Sequence, residues 1–247
     1  MNFKEIDVKT LSEKQFGAVL FEDATEFSVW APEAEMVELR LYRSQNDSPC
    51  ETVLLEKDQF GVWSCRYPKR LDGFYYTYAF TYGEKTRETI DIYAKACGAN
   101  GCKGYIADFS RTNPYDWDEN GFVKLKSPAD AVLYELSVRD FSSDPSSGVS
   151  AQNRGKFKAF CEKGTKLLSG KPTCLSYLKN LGITHVQLMP LFDFEGVDET
   201  DPRREYNWGY NPANYNIPDG SFSRDPSNPE LRIKELKALI SRFMPRA

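Results

Sequence analysis

Three aromatic rings and two amides are gathered in Tyr206-Asn207-Trp208-Gly209-Tyr210-Asn211-Pro212, a loop bracketed by glycine and proline. Rings held in such a loop can offer flat apolar faces on which the C–H faces of sugars stack, while sugar hydroxyls meet amides such as Asn207 and Asn211. The same composition also describes a loop pinned by buried aromatics, and the residues alone leave both readings open. Asp193 and Glu195, two positions apart beyond an apolar run, could be a carboxylate pair of the kind glycosidic cleavage uses. Loops after strands are commonly acidic, however, and the plain structural reading is preferred; Asp198-Glu199-Thr200-Asp201 likewise reads as a solvated loop. Arg139-Asp140 either reaches across a strand end or is a structural ion pair or a pair of exposed charges. His185, the single histidine, is flanked by Thr184 and Val186 in an apolar run, so a hydrogen-bonded core imidazole is expected. One histidine excludes a multi-histidine zinc site. Ser142 and Ser143 have no second histidine and no G-x-S-x-G elbow, which argues against triad-type hydrolysis. No phosphate-cradling glycine loop occurs, and neither a cofactor nor a metal is expected.

These candidates need elements to hold them. From Phe16 to about Phe109 the apolar pattern alternates with period 2, as half-buried strands require. Phe27 and Val29 share one face, and Val37, Leu39 and Leu41 alternate with Glu38, Arg40 and Tyr42. Tyr76, Tyr78, Phe80 and Tyr82 alternate with Tyr75, Thr77, Ala79 and Thr81. Turn signals separate these runs, which predicts an immunoglobulin-like β-sandwich with an N-terminal extension over residues 1–112. Trp30 and Trp63 are candidates for sugar stacking there, although each sits in a strand where a buried structural ring is favoured. Residues 113–130 collect Pro, Asn, Asp and Gly and read as a linker. A second domain is expected over 131–247. Ala131–Val138 and Ile183–Leu191 are predicted buried strands, joined by a helix capped by Thr173 and stopped at Gly182: a βαβ unit. Residues 192–228 read as one long loop. A last helix starts at the cap Asn228 with Pro229 in its first turn, repeats Ile233, Leu236, Ile240 and Phe243, and ends at Pro245.

Composition narrows the partners. The 247 residues carry a formal net charge of −4 and a mean hydropathy of −0.56, so neither a nucleic acid nor a membrane is an expected partner. Six cysteines without a C-x-x-C pair suit free thiols, and the N-terminal MNFKEIDVKT carries acids where a secretory leader would have its apolar stretch, so a cytoplasmic location is expected.

YNWGYNPANYNIPDGSFSRDP, from Tyr206 to Pro226, closely resembles the loop after the second barrel strand in bacterial type I pullulanases, members of the α-amylase superfamily of glycoside hydrolases. FSVWAP, GFYYTYAF, DIYAKACGANG, AVLYELSVRDFS, GTKLLSG and LSYLKNLGITHVQLMPLFDF fall in that family's order. The resemblance implies a glycan-binding-type β-sandwich followed by the start of a (β/α)8 TIM barrel, a multidomain β plus α/β fold. It implies retaining hydrolysis of α-1,6 branch linkages in α-glucans such as pullulan, amylopectin or glycogen-like chains. Tyr210 would stack on the sugar at the cleavage subsite, Asn211 would hydrogen-bond substrate where many relatives carry aspartate, and Trp208 would brace the loop. The family's nucleophile and acid stand at later barrel strands, and no residue here matches them; only 117 residues follow Asp130, against about 250 for a full barrel. A truncated, inactive chain whose second region is unstable alone is therefore expected. The alternatives are a non-catalytic α-glucan-binding module or an isoamylase or branching-enzyme relative, and YNWGYNP and DIYAKA favour the pullulanase type.

Overall fold

The computed structural model describes residues 11–115, 117, 121 and 124–244. The chain divides into two compact units between Asp108 and Phe109. That is four residues before the boundary read from the sequence, because the short 3-10 turn Phe109–Thr112 is tied into the second unit: Lys237 donates to the Phe109 carbonyl and, at 2.8 Å, to Thr112 Oγ1. Parts of the expected linker, the N-terminal segment and the helix stop at Pro245 lie outside the described residues.

The first unit is a β-sandwich. Its strands are β1 (Gly17–Leu20), β2 (Thr25–Trp30), β3 (Met36–Tyr42), β4 (Glu51–Leu54), β5 (Glu56–Lys57), β6 (Val62–Tyr67), β7 (Tyr75–Tyr82), β8 (Lys85–Thr89) and β9 (Gly104–Tyr105). One sheet has the order β1-β2-β6-β5 and the other β4-β3-β7-β8, with β9 also on β7; all pairs are antiparallel. The two-residue period decides which side chains are enclosed. Phe27 and Val29 point inward from one sheet, Val37, Leu39, Leu41, Tyr76 and Tyr78 from the other, and these meet in one core. Each such large side chain contributes about 1.5–3 kcal/mol by leaving water. β7 departs from simple alternation, since Tyr75–Ala79 is buried on both faces. Its outer face is covered by Tyr42, whose hydroxyl meets Thr77 Oγ1 at 3.0 Å, and by the ring of Tyr105 against Tyr75.

The second unit contains β10 (Leu133–Leu136), α1 (Cys174–Leu181) and β11 (His185–Leu188), and β10 and β11 pair in parallel, so the βαβ unit forms. α1 stops at Gly182 in the left-handed conformation. Thr173 occupies the N-cap position but its hydroxyl is spent on the Ser147 carbonyl, so it does not cap. The two strands are shorter than their apolar runs suggest, and they are not buried on both faces: Leu133 is 60% exposed, and Glu135, His185 and Gln187 face out. His185 is accordingly not a core imidazole; its Nδ1 shares a hydrogen with Thr184 Oγ1 at 2.8 Å at the surface. The expected long loop 192–228 also needs correcting. It contains β12 (Phe192–Phe194) and β13 (Pro212–Pro218), an antiparallel ribbon whose register shifts twice, which is why no clean alternation marks it. The last helix, α2 (Pro229–Phe243), starts as expected: Asn228 Oδ1 accepts from the Leu231 N–H at 3.0 Å. The unit has its own core, in which Val138, Phe157, Phe160, Leu178, Phe222 and Leu239 are enclosed. All six cysteines are free thiols, and no helix among the described residues is long and apolar enough to cross a membrane.

Candidate functional site

The loop 195–211 between β12 and β13 carries the aromatic cluster. Its neck is closed by amides. Asn207 and Asn211 both donate to the Glu195 carbonyl, at 2.8 and 2.9 Å, Asn207 donates to Asn211 Oδ1 at 3.0 Å, and Asn207 Oδ1 receives the Gly209 N–H at 2.9 Å. Gly209 lies at φ +85°, and a Cβ there would sit 3.1 Å from Phe194 Cδ1 and from the Pro190 carbonyl oxygen, so glycine is required for this turn. Asn211 is thus drawn into the frame of the loop, and its amide nitrogen is engaged.

With the neck fixed, the rings stand outward. Tyr210 is 64% exposed and Trp208 59%. Tyr206, Tyr215 and Phe192 are also exposed, Phe192 lying 6.2 Å from Tyr215 ring to ring. Trp208 donates from Nε1 to the Tyr206 hydroxyl at 2.8 Å, and that hydroxyl donates to Asp140. The Arg139 guanidinium lies over the Tyr206 ring at 5.3 Å and donates to the Glu205 carbonyl. Arg139 and Asp140 therefore do not pair with each other; both serve the loop. The buried-aromatic reading of this stretch is not what the structure has: the rings form an exposed platform held by polar struts. Beside Tyr206 runs a polar cleft of about 810 Å³, lined among others by Arg139, Asp140, Arg154, Lys156, Asp201 and Phe222.

Beneath the loop lies a set of buried charges. Asp193, Glu199 and Asp219 bring carboxylate oxygens within 4.8 Å of one another, all buried. Arg232, fully enclosed on α2, donates to Glu199 Oε2 at 3.0 Å and to the carbonyls of Pro218 and Pro226. Three close carboxylates are a donor set for a hard cation, but here the guanidinium supplies the positive charge. Asp219 receives the N–H groups of Phe194 and Ser221, and Asp193 receives the Asn214 amide. Burial, reinforced by the neighbouring carboxylates, pushes Asp193 up to about 7; burial and the Glu199 charge push Asp219 up to about 6. Gly220 completes the packing, since a Cβ there would fall 2.4 Å from Arg232 Nη2 and 2.5 Å from Glu199 Oε2.

This arrangement bears on two sequence readings. Asp193 is buried while Glu195 is exposed, in keeping with the plain structural reading preferred for this pair. Glu199 is no solvated loop residue but 1% exposed and ion-paired. A signal existed for the latter: Arg232 falls on the same helical face as Leu236 and Leu239, a charge set in an apolar stripe that calls for an acid to meet it.

Residues 15–94 match the family model for carbohydrate-binding module 48 (isoamylase N-terminal domain). The pullulanase of Bacillus subtilis is 37% identical over 92% of this chain, which spans 30% of that protein, and pullulanase 1, chloroplastic, of Arabidopsis thaliana is 31% identical over 91% of this chain, which spans 27% of that protein. The crystal structure of a Paenibacillus barengoltzii pullulanase in complex with maltohexaose and alpha-cyclodextrin superposes with a TM-score of 0.90 at 43% identity, over 93% of this chain and 36% of that one. This chain is similar to pullulanases over more than nine-tenths of its own length, and it spans about a third or less of the length of each.

Proposed function

We propose that this chain is the α-glucan-recognising part of a pullulanase-type debranching glycoside hydrolase. The observation that carries this is the exposed platform of Trp208 and Tyr210, rings that a folded protein would otherwise enclose, held outward by a neck of asparagines. In this reading the parallel β10-α1-β11 unit is the first turn of a (β/α)8 barrel. The open face of its two strands supports that, since parallel strands are ordinarily covered on both sides. Substrate-facing loops of such barrels follow the C-terminal ends of the strands, which is where the platform loop comes relative to β11.

Tyr210 stacks on a sugar ring, Trp208 braces it through Tyr206 and Asp140, and Asn211 acts through the loop neck with its side-chain oxygen. The nucleophile and acid of a retaining reaction come from residues outside these 247, so the polypeptide by itself binds glucan without turning it over. Six free thiols suit a reducing compartment, and a cytoplasmic location is part of the proposal.

Electrophoresis through gels containing pullulan tests this directly. The chain is expected to be retarded, Tyr210→Ala to be retarded less, and a reducing-end assay on pullulan to stay at background. Unretarded migration of the wild-type chain, or turnover at enzyme rates, would overturn the reading.

A further inference from the structure

Away from the platform loop, the second unit carries a basic groove. It has a volume of about 470 Å³ and shares no lining residue with the polar cleft beside Tyr206. One wall is α2, where the helical repeat brings Leu231, Lys234, Glu235, Ala238 and Arg242 to one face. Lys158, from the 3-10 turn Phe157–Cys161, and Arg224, from the segment between β13 and α2, add two more cations. The rim is fixed by Lys237, whose ammonium donates to the Phe109 carbonyl, to Thr112 Oγ1 and, at 2.6 Å, to Asn113 Oδ1, while Arg111 pairs with Glu230 at 2.9 Å. The next two residues, Pro114 and Tyr115, are thereby set along the groove.

The charges there do not balance. Glu235, the single acid among the described residues lining it, is 2% exposed and already accepts from Arg224 Nε, from the Arg224 N–H at 3.0 Å and from Ser223 Oγ at 3.3 Å. Lys158, Lys234 and Arg242 have no ion pair or hydrogen bond among the described residues, and Arg242 Nε is enclosed without a partner. A chain with a formal net charge of −4 has here gathered three unmatched cations. Enclosing a guanidinium nitrogen without an acceptor costs free energy, and such a group calls for an explanation. Beside these cations the Tyr115 ring is fully exposed.

We propose that this groove binds a small phosphate ester, the phosphate lying among Lys158, Lys234 and Arg242 and the organic body against Tyr115 and Leu231; the proposal does not depend on the glucan reading above. A phosphate oxygen supplies the acceptor that Arg242 Nε lacks, and a guanidinium offers two N–H groups to two phosphate oxygens at once. A phosphate monoester carries about 1.5 to 2 negative charges at neutral pH, so it offsets more of the excess than one carboxylate does. Pro114, Leu231 and Ala238 suit a ligand with an apolar or C–H face rather than free phosphate, and the volume falls in the roughly 300–1,000 Å³ range of small-molecule pockets. The cations are confined to one groove on an acidic chain, unlike the continuous basic stripe that follows a nucleic-acid backbone.

Calorimetric titration of the full chain with inorganic phosphate, glucose 6-phosphate and AMP tests the groove, the two esters separating a sugar-phosphate source from a nucleotide source. At least one ester is expected to bind about 10-fold more tightly than inorganic phosphate. Lys234→Gln, at an exposed position that the fold does not need, is expected to weaken that ester about 3- to 10-fold, and Arg242→Gln about 10-fold or more. Arg242→Lys keeps the charge without Nε and should recover only part of the loss. Tyr115→Ala should lower the ester to the level of inorganic phosphate and leave inorganic phosphate unchanged. Lys179→Gln on α1, which removes a charge that does not line the groove, and Tyr210→Ala should both bind like wild type. The proposal fails if neither ester binds more tightly than inorganic phosphate, or if Lys234→Gln and Arg242→Gln bind like wild type. It also fails if Lys179→Gln weakens binding as much as they do, which would be a response to net charge alone, or if Tyr210→Ala removes the binding, which would place the ester on the platform.

Discussion

The sandwich and the second unit are stabilised in different ways. In the sandwich, nine strands in two antiparallel sheets enclose one apolar core, and the charged pairs lie outside it: Arg66, for example, pairs with Glu26 from a side chain half exposed to water. In the second unit the sheets are two pairs of short strands, and a buried ion pair with two further acids ties ribbon, loop and α2 together. The contrast teaches where each unit is vulnerable. Loss of a surface charge is compensated by water, whereas loss of one member of a buried charged set leaves the others desolvated and unmatched.

Substitution offers the sharpest way to break that comparison. Arg232→Ala is expected to destabilise the second unit by about 3–5 kcal/mol, because Glu199 and the carbonyls of Pro218 and Pro226 lose their donor. Hydrogen exchange should show protection lost around β12, β13 and α2 while β2, β3, β6 and β7 keep theirs. Equal loss in both units would mean that they unfold as one. Gly220→Ala should cost about 1–3 kcal/mol in the same unit by forcing the guanidinium and carboxylate off their positions, measurable as a lowered denaturant midpoint.

Acidity sharpens the comparison further. Asp193 and Asp219 titrate in the folded state at about 7 and about 6, above the ordinary aspartate value of 3.8, so the folded state holds protons that the unfolded state has released. Their contribution is fully present below about pH 4 and is lost as pH rises through 6 and 7. The second unit should therefore be easier to unfold at pH 8 than at pH 5.5, by an effect on the order of 1 kcal/mol, and Asp193→Asn should flatten that slope. The sandwich has Asp91, raised to about 6 by burial, which should give a shallower dependence of the same sign. Its surface acids act oppositely: Asp58 and Glu88 are held below their ordinary values by Lys14, Tyr42, Thr77 and Arg40 despite partial burial, and they lose stability only under stronger acid. Asn228→Ala should cost about 1 kcal/mol through the lost helix cap. Smallest of all, Arg66→Ala should change the sandwich by roughly 0.5 kcal/mol or less by thermal melting.

The sandwich was legible because its determinants are local. Phe27, Val29, Val37, Leu39 and Leu41 repeat at two-residue spacing, and the backbone pleat alone sends them to one side. The start of α2 was legible for the same reason, since Asn228 and Pro229 act on the turn beside them. The platform loop was half legible: its composition showed rings and amides, but whether the rings faced in or out depended on Glu195, whose carbonyl gathers Asn207 and Asn211 from 12 and 16 positions away. The strands β10 and β11 are legible in the sequence but their exposure is not, because an apolar run states what a strand could bury and not what stands opposite it.

What the sequence determined by itself is the set of elements written in short-range periods: the strands of the sandwich, the βαβ order, the capped last helix and the aromatic loop. What only the tertiary structure decided is the company those residues keep. Glu199 and Arg232 are 33 positions apart, and no periodicity links them. The Tyr78 hydroxyl lost its partner only when two sheets closed over it. Local patterns report the conformational preference of the backbone, which extends over a turn or a strand; the pairing of a buried charge or hydroxyl is fixed by desolvation, which acts only once distant segments have excluded the water between them.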